Sequence, residues 1–143
     1  MNAISAIGSN LVYGYLSTYI LDFVMDDMSD RMTFIMGQLY LMPKDAQKRL
    51  IALDLSHKLA MIKSVLQTLK SDPQSEPISE IIHRISGILK CIDTKMMRHK
   101  EKLLWRWRDP GISADLEDIE LQTQILMNRF GMLKDSIELR KML

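Results

Sequence analysis

Cysteine is nearly absent from this chain: Cys91 stands alone among 143 residues. A single thiol excludes an intrachain disulfide and any zinc cage built on cysteines, and it fits a reducing compartment. Glycine and proline are scarce too, at six and four, which leaves little material for the many reversals of an all-β fold. Aromatic residues are few. Neither sign of charge dominates, and 19 basic against 18 acidic residues argues against a uniformly basic nucleic-acid binder.

Charge is missing altogether from residues 2–21. A secretory signal would place basic residues before its apolar run, and none is there. Asn2 stands where N-myristoylation requires glycine. The length approaches the ~20 residues of a membrane span. However, Ser5, Ser9, Asn10, Ser17 and Thr18 dilute its hydrophobicity, and the helical stripe described next runs through it without a change of phase. The expectation is a cytoplasmic protein, with peripheral membrane association as the alternative.

What the chain does have is apolar spacing of helical period, with 47% hydrophobic residues and twelve methionines. Leu11, Gly14, Thr18, Leu21, Met25, Met28, Met32, Ile35, Leu39 and Met42 fall at alternating steps of three and four. That is the seam of a bundle or coiled-coil helix. Leu16, Phe23, Phe34 and Leu41 fall on its opposite side. Residues 1–10 read as an N-terminal arm and 11–42 as the first helix, with Gly37 as an earlier stopping point. Pro43 suits the first turn of a new helix and disfavours helical geometry at Met42. A second helix over 44–70 carries the stripe Ala52, Leu55, Leu59, Ile62, Leu66 and Leu69, and a single helix kinked at Pro43 is the alternative.

The stretch Ser71–Pro77 is polar with two prolines and reads as a loop. A third helix over 78–108 has its seam at Ile78, Ile82, Ile85, Leu89, Ile92, Met96, His99 and Leu103, widened by Ile81 and Ile88. Asp109-Pro110-Gly111 stops it, and Ser113 is the expected N-cap of a fourth helix over 113–142. The seam of that helix is Leu116, Ile119, Thr123, Leu126, Phe130, Leu133 and Ile137. The chain therefore reads as a single all-α domain of four long amphipathic helices. Short connections predict an elongated antiparallel bundle, and paired helical hairpins would satisfy the same seams.

Little in this pattern carries chemistry. Asp54-x-x-His57 and Glu80-x-x-His83 resemble the carboxylate-x-x-His pairs of bundle di-iron sites. All four lie off the seams, and in a hairpin Asp54 and Glu80 would sit ~20 Å apart along the axis. No metal site and no cofactor are expected. His99 reads as a core histidine with a hydrogen-bond partner, and Cys91 as an inert thiol on a basic flank. No Ser/His/Asp order, phosphate loop or nucleophile elbow is present, so the expectation is a non-enzyme with no small-molecule substrate.

The surplus lies in apolar and basic surface. Beyond the second face of the first helix, the fourth carries Leu121, Ile125, Met132, Leu139 and Leu143 off its seam, and the second helix has Leu50, Leu53 and Met61. A bundle needs one apolar face per helix, and further apolar surface marks interfaces. The expected interface residues are Leu16, Phe23, Phe34, Leu41, Leu121, Ile125, Met132 and Leu139, serving a homo-oligomer or a helical protein partner. A coat, scaffold, adaptor or chaperone-like subunit fits. Separately, Lys90–Arg108 holds seven basic against two acidic residues. Trp107 falls at the seam edge and Trp105 opposite, among basic side chains. Arg98, Lys102, Trp105, Arg106 and Arg108 are the alternative site, for nucleic acid or an anionic membrane.

Overall fold

The computed structural model describes residues 21–69, 75–102 and 109–143. Among these residues the chain is mostly helical, without a strand, and it folds as an all-α bundle. The expected N-terminal arm, the start of the first helix, Leu16, Leu103 and the Trp105–Arg108 cluster lie outside the described residues. No helix among the described residues is long and apolar enough to cross a membrane.

The chain is helical from residue 21 to 36, which we call α1. Leu21, Met25, Met28, Met32 and Ile35 are buried, as the seam requires. The helix stops six residues short of the expected Met42. Glycine weakens helix at position 37. The Gln38 N–H then bonds to the carbonyl of Ile35, three residues back, and tightens the path into a 3-10 turn over Leu39–Leu41. Pro43 holds Met42 extended, at φ −105° and ψ 155°, because its ring crowds helical geometry at the residue before it.

The second arm is two helices, α2 (Lys44–Leu53) and α3 (Leu55–Leu69), instead of one. Asp54 between them takes the left-handed conformation, φ 48° and ψ 41°. The apolar pattern explains the break. Ala46, Leu50 and Leu53 are buried on α2, and Leu55, Leu59, Ile62 and Leu66 on α3. Leu53 and Leu55 are two positions apart, so a continuous helix would point them ~200° apart. One left-handed residue resets the phase and brings both stripes to the interior. Lys58 closes the break by donating from Nζ to the Leu53 carbonyl at 2.7 Å. Leu50 and Leu53, expected as surplus surface, are therefore core, and Ala52, expected in the stripe, is exposed.

The third helix, α4, spans Glu76–Glu101 and starts two residues earlier than expected. Pro77 sits in its first turn, where a missing N–H costs nothing. At its far end Lys102 is extended, at ψ 142°, so the helix ends seven residues before the expected Arg108. The last helix, α5, spans Ser113–Met142. Ser113 is its first helical residue and not the cap. Ile112 holds the cap position, with no side-chain hydrogen bond to the turn. Gly111 turns the chain at φ 74°, and its N–H is held by the Asp109 carboxylate at 2.9 Å.

The α5 helix packs closely on α2, α3 and α4. Lys95, late in α4, meets Asp115 at the start of α5, while Arg129 further along α5 donates to the Pro77 carbonyl at the start of α4. Those two helices run in opposite senses. The α1 helix closes the other side, tied to α4 by Arg31–Asp93 at 2.7 Å and to α3 by Asp26–Lys63.

Candidate interaction surface

The outward face of α1 follows from its seam. Phe23, Asp27, Asp30 and Phe34 are spaced four, three and four apart, so they form one stripe on the side away from the core. Phe23 is 71% exposed and Phe34 44% exposed. Beside this stripe runs α4. Lys90, Asp93, Met97 and Lys100 are spaced three, four and three, and Asp93 marks the side of α4 that meets α1 through Arg31. Met97 is 56% exposed. The Lys100 ammonium stands 5.8 Å from the centre of the Phe34 ring, within cation–π range. Phe34 thus has a lysine ammonium over its ring and remains 44% exposed.

A second apolar surface lies on α5. Leu121 is exposed, Met132 is 70% exposed and Leu139 is 61% exposed, on the side opposite the buried Leu116, Ile119, Leu126, Phe130 and Leu133. Ile125 and Leu41 are half-buried against the core. Of the expected interface residues that are described, Phe23 and Phe34 lie on α1, Leu41 in the 3-10 turn, and Leu121, Ile125, Met132 and Leu139 on α5. Tyr40 and Ile51 are also exposed apolar side chains. Ile51 becomes visible as surface only once Leu50 and Leu53 are placed inside.

Electrostatics organise the helix contacts more than any reactive centre. Arg31 donates to Asp27 at 2.9 Å and to Asp93 at 2.7 Å, and these carboxylates raise its pKa. Arg49 on α2 forms a two-pronged pair with Glu120 on α5. The hydrogen bonds from Arg49 hold the Glu120 carboxyl below the usual glutamate range. The hydrogen bond to Asp26 likewise raises the pKa of Lys63, and that to Asp115 raises Lys95. In the basic end of α4, Arg98 and Lys102 are exposed and form no ion pair among the described residues. Trp105, Arg106 and Arg108 lie outside those residues.

An open groove of about 450 Å³ lies between the α2–α3 junction and α5. Arg49, Lys58 and Glu120 line it, with Thr123 and Met127, and each of its charged groups is already engaged in the helix contacts given above. Asp54, His57, Glu80 and His83 are all exposed. Glu80 pairs with Arg84 and Arg129. Among the described residues no three His, Cys, Asp or Glu side chains are grouped to hold a metal ion. His99 is buried and Cys91 exposed.

No protein-family model matches the chain, and neither the curated proteins nor the solved structures contain a significant match.

Proposed function

We propose that this chain is a non-enzymatic helical subunit that assembles with itself or with another helical protein, in the manner of a coat, scaffold, adaptor or chaperone-like component. The carrying observation is the apolar surface left over once the bundle core is filled: Phe23, Phe34 and Met97 on one side, and Leu121, Met132 and Leu139 on another. Several large apolar side chains exposed on one side of a folded domain favour an interface there, and methionine side chains adapt to a partner's shape. The test is the absolute mass of the purified protein in solution at several concentrations. Mass should rise with concentration above that of one chain. A strict monomer at high concentration would remove self-assembly and leave only a different protein as partner.

A second reading is supported by Arg98 and Lys102, which are exposed and free of ion pairs among the described residues. It makes the end of α4 a contact for anionic surfaces, nucleic acid or acidic lipid. Such binding should fall steeply with salt through counterion release. Undetectable binding to DNA, RNA and anionic vesicles at low salt would dispose of it.

A further inference from the structure

The outward stripe of α5 is symmetric about Met132. Counting both ways along the helix, Asn128 and Ser136 lie four positions from it, and Ile125 and Leu139 lie seven. Leu121 and the C-cap Leu143 lie eleven away. At 3.6 residues per turn, steps of four, seven and eleven all return to within ~40° of the starting side. The seven residues therefore share one face, opposite the buried Thr123 and Phe130. Burial follows the same line: Leu121, Asn128, Met132, Leu139 and Leu143 are exposed, and Ile125 and Ser136 half-buried. Apolar side chains stand at the centre and at seven and eleven on both sides, with short polar ones at four. Such a stripe reads the same in either direction.

We infer that the occupant of this face is α5 of a second copy of the chain, packed antiparallel about a two-fold axis that crosses the helices at Met132. Every level then matches. Met132 meets Met132, Ile125 meets Leu139, Asn128 meets Ser136 and Leu121 meets Leu143. An isologous contact makes each unlike pairing twice, and the seam runs for ~33 Å of helix. The polar level sets the register. Sliding one copy seven residues toward the start of the other would put Leu121 on Ser136 and Leu139 on Asp118. Charge sets the direction. Antiparallel docking brings the basic last turn, Arg140 and Lys141, level with positions 123 and 124 of the partner, beside its exposed Glu117 and Asp118. It also opposes the two helix dipoles. Parallel docking would set Glu117 against Asp118 along both edges of the seam, like charge on like.

This pairing rests on the assembly reading above and is tested separately from it. Mass in solution is measured as a function of concentration for the natural chain and for exposed-site variants, with circular dichroism to confirm unchanged helix content. Met132→Asp sets two carboxylates against each other on the axis and should abolish association. Leu139→Ala acts at two contacts and should weaken it by about tenfold or more. Direction and register are read by oxidative cross-linking in a Cys91→Ser background. Met132→Cys should form a disulfide with its own copy, because only a residue on the axis meets itself. Leu121→Cys and Leu139→Cys should not, since their copies stand ~33 and ~21 Å apart along the helices. Cross-links at all three positions would mean parallel docking, and none at Met132→Cys would mean another register or face. Either result overturns the pairing. Association that survives Met132→Asp but is lost in Phe34→Asp would move the interface to α1, sinking this pairing while leaving assembly intact. A natural chain that stays monomeric would end the pairing and confine assembly to a different protein.

Discussion

Two polar side chains show what individual residues contribute. Gln38 is buried where α1 gives way to the 3-10 turn, and neither end of its amide has a hydrogen-bond partner among the described residues. An unsatisfied buried amide costs more than an apolar group of the same shape. Gln38→Met should therefore raise stability by about 1 kcal/mol, read as a higher midpoint in urea. The sequence gives no sign of this, because glutamine between two seam positions looks like ordinary surface. Glu120 is the pH-sensitive counterpart. Arg49 holds its carboxyl below the ordinary glutamate range, so the folded state releases this proton more readily than the unfolded state. Its stabilising contribution is complete above the ordinary glutamate range and disappears as pH falls through the depressed folded value. Unfolding of Glu120→Gln and the natural chain should differ at neutral pH and converge in acid. A gap unchanged down to pH 2 would contradict the pairing.

At the level of elements, the second arm separates what periodicity reveals from what it hides. The seams of α1, α4 and α5 are legible because each keeps steps of three and four over several turns, and within the described parts of these helices their residues are buried, apart from the half-buried Ile137. The second arm changes phase midway. Read as one helix, it gives the stripe Ala52, Leu55, Leu59, Ile62 and strands Leu50 and Leu53 outside. Glycine would have signalled a left-handed residue, but the position holds Asp54, one of the few other residue types that tolerate this conformation. The correction can be measured. Leu50→Ala and Leu53→Ala should each cost about 2–4 kcal/mol as buried truncations, while Ile51→Ala, at an exposed site, should stay within about 0.5 kcal/mol. Equal small costs at all three would restore the single-helix reading. The helix ends were missed for related reasons. Gly37 and Pro43 act together on α1, and Pro77 reads as a loop residue in the sequence although it serves equally in the first turn of α4.

For the whole molecule, the pattern shows how many helices need partners but not which helices meet. The close contacts of α5 with α2, α3 and α4 depend on side chains distant in sequence, such as Arg49 with Glu120 and Lys95 with Asp115. The candidate interface was legible in part. Phe23, Phe34, Met132 and Leu139 stand off the seams in the sequence and are exposed in the fold. That Met97 and Lys100 join Phe34 on one face required the structure, since it depends on which side of α4 meets α1. Between α1 and α5, α4 has the most completely enclosed run of apolar residues, with Ile81, Ile82, Ile85, Leu89, Ile92 and Met96 at 0% exposure. Its amides over residues 82–96 should exchange with solvent only through global unfolding, while those of the 3-10 turn at Leu39–Leu41 exchange through local opening. Native-state hydrogen exchange in increasing denaturant distinguishes the two, and early exchange in the middle of α4 would contradict this account. The left-handed residue between α2 and α3 has a further consequence for changes in chain length. A residue inserted beside Asp54 would rotate α3 by ~100° relative to α2. Leu59, Ile62 and Leu66 would swing out of the interior while the arm grew by only ~1.5 Å. At this junction a change in length acts as twist.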